Sequence, residues 1–214
     1  MRYCNTWQNR SSLRILPVAC ATALALASTP SLAQATHAEE ISPPRVPASL
    51  QVPAGQEPFL VGHGVGSQNY ICLPSGSGFA WSLFTPEATL FDGHNKQLIT
   101  HFFSPNPFES GTIRATWESS RDTSTVWAQT IVPPSSDPNF VAPGAIPWLL
   151  LKVVGAQDGP TEGDTLTGTT YIQRVNTAGG SAPSTGCAQL VDVGNRAFVP
   201  YAADYFFYTS AAGH

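Results

Sequence analysis

The chain has 214 residues, 42% of them hydrophobic and 11% charged, with a formal net charge of −4. That supplies enough apolar side chains for a sizeable core, but its few basic residues are scattered, so a phosphate-binding surface and a nucleic-acid partner are excluded. With 18 Gly and 19 Pro spread along its length, the chain is also too often interrupted for long helices.

The first stretch has the three parts of a secretory signal peptide. Arg2, Arg10 and Arg14 give a positive start, Ile15 to Ala27 is an apolar run, and small residues offer cleavage after Ala33 (Ser31-Leu32-Ala33) or after Ala35 (Ala33-Gln34-Ala35). The apolar run is shorter than the ~18–20 residues of a membrane span. Residues 1–33 are therefore expected to be removed on export, giving a secreted or periplasmic protein with no transmembrane segment in its mature form. Removal takes three of the 10 basic residues and none of the 14 acidic ones. It also takes Cys4 and Cys20, leaving Cys72 and Cys187. In an oxidising compartment these two most simply form one disulfide. The alternative, a reactive thiol beside a catalytic histidine, needs a partner that the sequence does not identify.

Residues 34–57 carry Pro43, Pro44, Pro47 and Pro53 and read as a linker or extended arm, in which Ala48 to Val52 could add an edge strand. Residues 58–210 read as a single β-rich domain. Short β-forming runs follow at Gln68–Leu73, Phe79–Phe84, Ala88–Phe91 and Gln97–Phe103. Thr112 to Glu118 alternates, with Ile113, Ala115 and Trp117 on one side, and Ser119 to Asp122 then leads as a turn into Ser124–Ile131. Pro147–Val154 is almost continuously apolar, as expected of a strand covered on both faces. Thr169–Asn176 and Asp204–Thr209 complete about ten short, mainly antiparallel strands with little helix. The expected fold class is all-β, a β-sandwich or flattened barrel.

The motifs exclude more chemistry than they assign. Gly62-His63-Gly64-Val65-Gly66 has the spacing G-x-G-x-G rather than G-x-G-x-x-G and precedes a strand, so it reads as a flexible turn or bulge and no cofactor is expected. His63, His94 and His101 form no H-x-H or H-E-x-x-H pair, and no metal site is expected, although the three could still converge in space. His101 is the candidate catalytic group, with Glu118 or Asp122 as its carboxylate partner. Trp81, Trp117, Trp127 and Trp148 read mainly as core, with Trp127 and His63 as candidate ligand contacts. Thr165 to Cys187 is a polar strand followed by a Gly-, Ser- and Pro-rich loop, and places Arg174 and Asn176 as further candidate ligand contacts.

Several segments together resemble the exported domain of unknown function DUF3455. They are Gln68-Asn69-Tyr70-Ile71-Cys72, Ala88 to Asp92, His101-Phe102 leading to Ala115-Thr116-Trp117-Glu118, Trp148 to Lys152, Thr170 to Thr177, Gly186-Cys187, and Val199-Pro200-Tyr201 to Tyr208. The likeness covers residues 44 to 209. It lapses between His101 and Trp117, where the family often runs compactly through Gly-Pro-Thr and this chain carries Phe103 to Arg114. The resemblance implies a secreted or periplasmic protein without an established activity. Three readings follow: an exported binding domain for a small molecule, a glycan or an envelope protein; a histidine- or metal-dependent hydrolase; or a structural component of a cell surface.

Overall fold

The computed structural model describes residues 41–211, so the expected signal peptide at 1–33 lies outside the described residues. Eight antiparallel strands follow one another: β1 (Gln56–Ser75), β2 (Gly78–Phe91), β3 (Gln97–Asn106), β4 (Thr112–Ser119), β5 (Thr125–Thr130), β6 (Leu149–Gln157), β7 (Tyr171–Gly179) and β8 (Arg196–Ser210). Each pairs with the next and β1 pairs back with β8, which closes the sheet into a barrel. Among the described residues, helix is limited to three-residue 3-10 turns at Ala48–Leu50, Pro107–Glu109 and Leu190–Asp192. Among the described residues, no helix is long and apolar enough to cross a membrane.

The all-β expectation stands, while the sandwich and the count of about ten strands are corrected to one closed barrel of eight. Phe79–Phe84 and Ala88–Phe91 belong to the same strand, β2, which runs straight through Pro86. Proline is tolerated there because β2 meets β3 only from Ala88 onward, so Pro86 pairs on one side alone, with Gln68 of β1. Past Ile71 the tip of the β1–β2 hairpin pairs with no third strand. Cys72 on that hairpin lies at disulfide distance from Cys187 in the β7–β8 connection, Cα to Cα 5.4 Å.

Gly62, Gly64 and Gly66, read from the sequence as a turn, sit within β1 and all face the lumen. A Cβ at Gly62 would lie 2.9 Å from the Leu90 side chain, and one at Gly64 would lie 2.9 Å from the Tyr205 ring. A Cβ at Gly66 would run into the Glu87 carbonyl and Ala88. The period of two in these glycines is therefore the alternation of a strand whose inner face has no room for side chains.

Inside and outside carry separate apolar layers. Leu90, Ile99, Val126, Leu166, Ile172 and Phe207 fill the lumen toward the end where β2 turns into β3. On the outer wall, Val141, Trp148, Leu150, Val175, Phe206 and Tyr208 are covered by the arm, through Ile41, Val46, Leu50 and Val52. Leu50 is fully buried, which stabilises the arm by about 1.5–3 kcal/mol, and its carbonyl accepts a 2.6 Å bond from Gln173 Nε2. The edge strand expected at Ala48–Val52 is absent because a closed barrel has no free edge to extend; the segment turns as a 3-10 helix and crosses the wall instead. Pro147–Val154 is covered on both faces as expected, by the lumen at Leu151 and by the arm layer at Leu150.

Candidate functional site

An eight-stranded barrel is just wide enough inside to be filled by side chains or to hold one small ligand. Here the filling stops short of the end carrying the β1–β2, β3–β4, β5–β6 and β7–β8 connections. A cavity of about 320 Å³ remains, lined by all the strands through residues such as Tyr70, Pro86, Phe103, Ala115, Leu149 and Leu151. That is at the lower end of the ~300–1,000 Å³ usual for small-molecule sites. Its wall is mostly apolar, and none of the residues lining it is acidic.

One residue in this wall carries a charge that cannot be given up. Arg174 points inward from β7 between Ile172 and the mouth and is only 9% exposed. Its Nη2 donates to the Pro147 carbonyl at 2.8 Å, while Nε has no partner. Among the described residues, the two ion pairs are His63–Asp204 and Arg114–Glu109, and neither involves Arg174. A guanidinium keeps its proton, so this is a buried cation without a counter-ion, a situation that penalises the fold by several kcal/mol. Two further buried donors on the same wall, Gln68 Nε2 and Trp117 Nε1, also lack partners. An unmet buried donor costs about 1–3 kcal/mol, and three such donors belong to residues that line this one cavity.

The neighbouring groups respond to this environment. His101 is buried and stacks on Trp117 with ring centroids 4.3 Å apart. Burial pulls its pKa down to about 3; the hydrogen bond to the Thr116 carbonyl opposes that shift and the charge of Arg174 adds to it. The imidazole is therefore neutral at physiological pH. The Tyr70 phenol is raised by burial and lowered less strongly by Arg174, as is that of Tyr205, whose hydrogen bonds to Tyr201 and Arg174 also lower it. Tyr201 is raised by burial and by the adjacent Tyr205, with which it shares a 3.0 Å hydroxyl contact. The site thus presents a fixed positive charge, a neutral imidazole and protonated phenols.

The other residues singled out from the sequence lie elsewhere. Glu118 alternates with Trp117 along β4 and lies on the outer wall, near Ser104, Thr116 and Trp127. Asp122 sits in the β4–β5 turn, where burial opposes ionisation but hydrogen bonds from Thr165, Ser124 and Ser119 outweigh it and hold its carboxyl far below the usual range. The barrel wall and the turn therefore keep both carboxylates away from His101. Trp127 is buried on the outer wall, donating to Ser104 Oγ at 2.8 Å and packing edge-on against Phe108. Phe108 belongs to the segment Phe103–Arg114, which lengthens the β3–β4 hairpin and is closed by the Arg114–Glu109 pair.

His63 and Asn176 meet on the outside at Asp204: Nδ1 of His63 lies 2.7 Å from Oδ1 and Asn176 Nδ2 donates to Oδ2 at 2.8 Å. Of the three histidines, His63 and His94 share an outer depression beside Asp92 while His101 lies in the lumen. Among the described residues, no three metal-capable side chains group together. The sequence reading missed Gln68, Tyr70, Tyr201 and Tyr205. Their inward facing depends on the register of β1 and β8, for which the alternation Gln68, Tyr70 and Tyr201, Ala203, Tyr205 is the visible signal.

The family model described as a protein of unknown function (DUF3455) matches residues 53–209. No curated protein and no solved structure matches the chain.

Proposed function

Because the chain belongs to the DUF3455 family, whose description assigns no activity, we propose a function from the barrel itself: it binds a small, largely apolar organic acid in the mouth of the lumen, with the acid group against Arg174. The observation that carries this is the buried guanidinium with no acidic partner, set in an apolar wall. A carboxylate offers the geometry that a guanidinium fork matches, and charge-assisted bonds of this kind are roughly twice as strong as neutral ones. Gln68 and Trp117 line the same cavity and carry unpartnered donors at Nε2 and Nε1. The apolar body of the ligand would meet Leu149, Leu151, Phe103 and Ala115. We place the protein outside the cytoplasm, a reading supported by the signal-like N-terminal sequence and by two cysteines at disulfide distance.

A titration calorimetry series tests the binding reading. Aromatic and medium-chain monocarboxylates should bind the purified protein, and the corresponding primary amides, equal in shape but uncharged, should bind at least about tenfold more weakly, a difference of 1.4 kcal/mol. Equal affinity for acids and amides would remove the role given to Arg174.

A further inference from the structure

The pocket is lined by an acceptor as well as by a cation, and this narrows the ligand. Nδ1 of His101 lies 2.8 Å from the Thr116 carbonyl oxygen. A carbonyl only accepts, so Nδ1 carries the hydrogen, and in a neutral imidazole Nε2 is then a bare lone pair. The stack on Trp117 and the contact with Tyr205 at 5.3 Å fix the ring plane, and Nε2, the ring nitrogen farther from the strand, belongs to a residue that lines the cavity. It is not among the enclosed polar atoms without a partner, and no described residue donates to it. The charge of Arg174 bears on the same ring.

We propose that the acid held at Arg174 also carries a hydroxyl group, which donates a hydrogen bond to His101 Nε2. The ligand class is then a hydroxy acid with an apolar body, recognised at two points of opposite polarity in one cavity, on β7 and on β3 across the lumen. This specificity rests on the Arg174 reading above. It also assigns His101 a binding role that needs no carboxylate partner, in keeping with the separation of Glu118 and Asp122 from it.

The test uses benzoate, the meta- and para-hydroxybenzoates and the matching methoxybenzoates as probes, titrated into the unaltered protein. At least one hydroxybenzoate should bind about tenfold more tightly than benzoate and than its own methyl ether, which keeps the oxygen but loses the donor. In His101→Phe, which retains an aromatic ring over Trp117, that preference among the probes should disappear. If benzoate and hydroxybenzoates bind equally, the His101 assignment falls and the Arg174 reading survives. A preference that persists in His101→Phe would also overturn the assignment. If no acid binds, both fall. Should His101→Phe not fold, the comparison of hydroxyl with methoxy in the unaltered protein still decides.

Discussion

Arg174→Met separates stability from binding in one substitution. The unaltered protein, without ligand, carries a guanidinium that is 9% exposed and has no counter-ion, and desolvating such a charge costs several kcal/mol. Methionine keeps an unbranched apolar stem of similar reach and removes that penalty. Against this, the Pro147 carbonyl loses the donor now 2.8 Å away, which costs about 1–3 kcal/mol. The balance is a net stabilisation of about 1–2 kcal/mol. In a chain of this size each kcal/mol moves the thermal midpoint by about 2–4 °C, so Tm should rise by about 2–8 °C. Thermal unfolding followed by circular dichroism, together with urea denaturation showing a higher midpoint at unchanged slope, would measure it. The variant should also lose its preference for acids over amides. A Tm lower than that of the unaltered protein would show that Arg174 is a structural strut, and the argument from an uncompensated charge would be refuted.

Gly66→Ala should destabilise by about 3 kcal/mol or more, since the new methyl meets main-chain atoms of β2. Gly93→Ala, with nothing within 4 Å of its Cβ, should stay within about 0.5 kcal/mol in the same urea assay. His101 has a folded pKa of about 3 against roughly 6.5 when unfolded. Its burial is therefore fully tolerated above pH ~6.5, and stability falls by up to about 1.4 kcal/mol per pH unit as pH drops below that. Urea midpoints between pH ~7 and ~5 should accordingly decline less steeply in His101→Phe, and parallel curves would contradict the buried, neutral imidazole. Cys72 and Cys187 should show no free thiol in the denatured, unreduced protein. Their link spans 115 positions, so its reduction should lower stability by about 4–5 kcal/mol on the chain-entropy account; a full thiol titre would refute the pairing.

The all-β class was legible because alternation survives in single strands: Ala115 and Trp117 face the lumen as their spacing implies, and Ser119–Asp122 turns the chain as its composition implies. Closure was not legible, because the pairing of β1 with β8 joins residues some 140 positions apart, as at His63 and Asp204, and no local pattern encodes that. The glycine run was misread for a related reason. Gly62, Gly64 and Gly66 look like flexibility until Leu90, Tyr205 and Ala88 are known to occupy the space opposite. Arg174 was visible as a polar residue in an unusual strand, but the absence of an acid near it depends on every strand of the barrel. Glu118 and Asp122 looked close to His101 along the chain, yet Glu118 faces the opposite side of the wall from the His101–Trp117 stack and Asp122 is consumed by its own turn.

Heteronuclear NMR of the arginine Nε–H groups tests the central claim most directly. One of these signals should be missing from the spectrum of Arg174→Met and so belong to Arg174, whose Nε has no partner in the structure. That signal should move as benzoate is titrated into the unaltered protein and stay in place as benzamide is titrated. A signal that stays fixed while benzoate binds, or that moves equally with benzamide, would contradict the account of a barrel that holds an organic acid at Arg174.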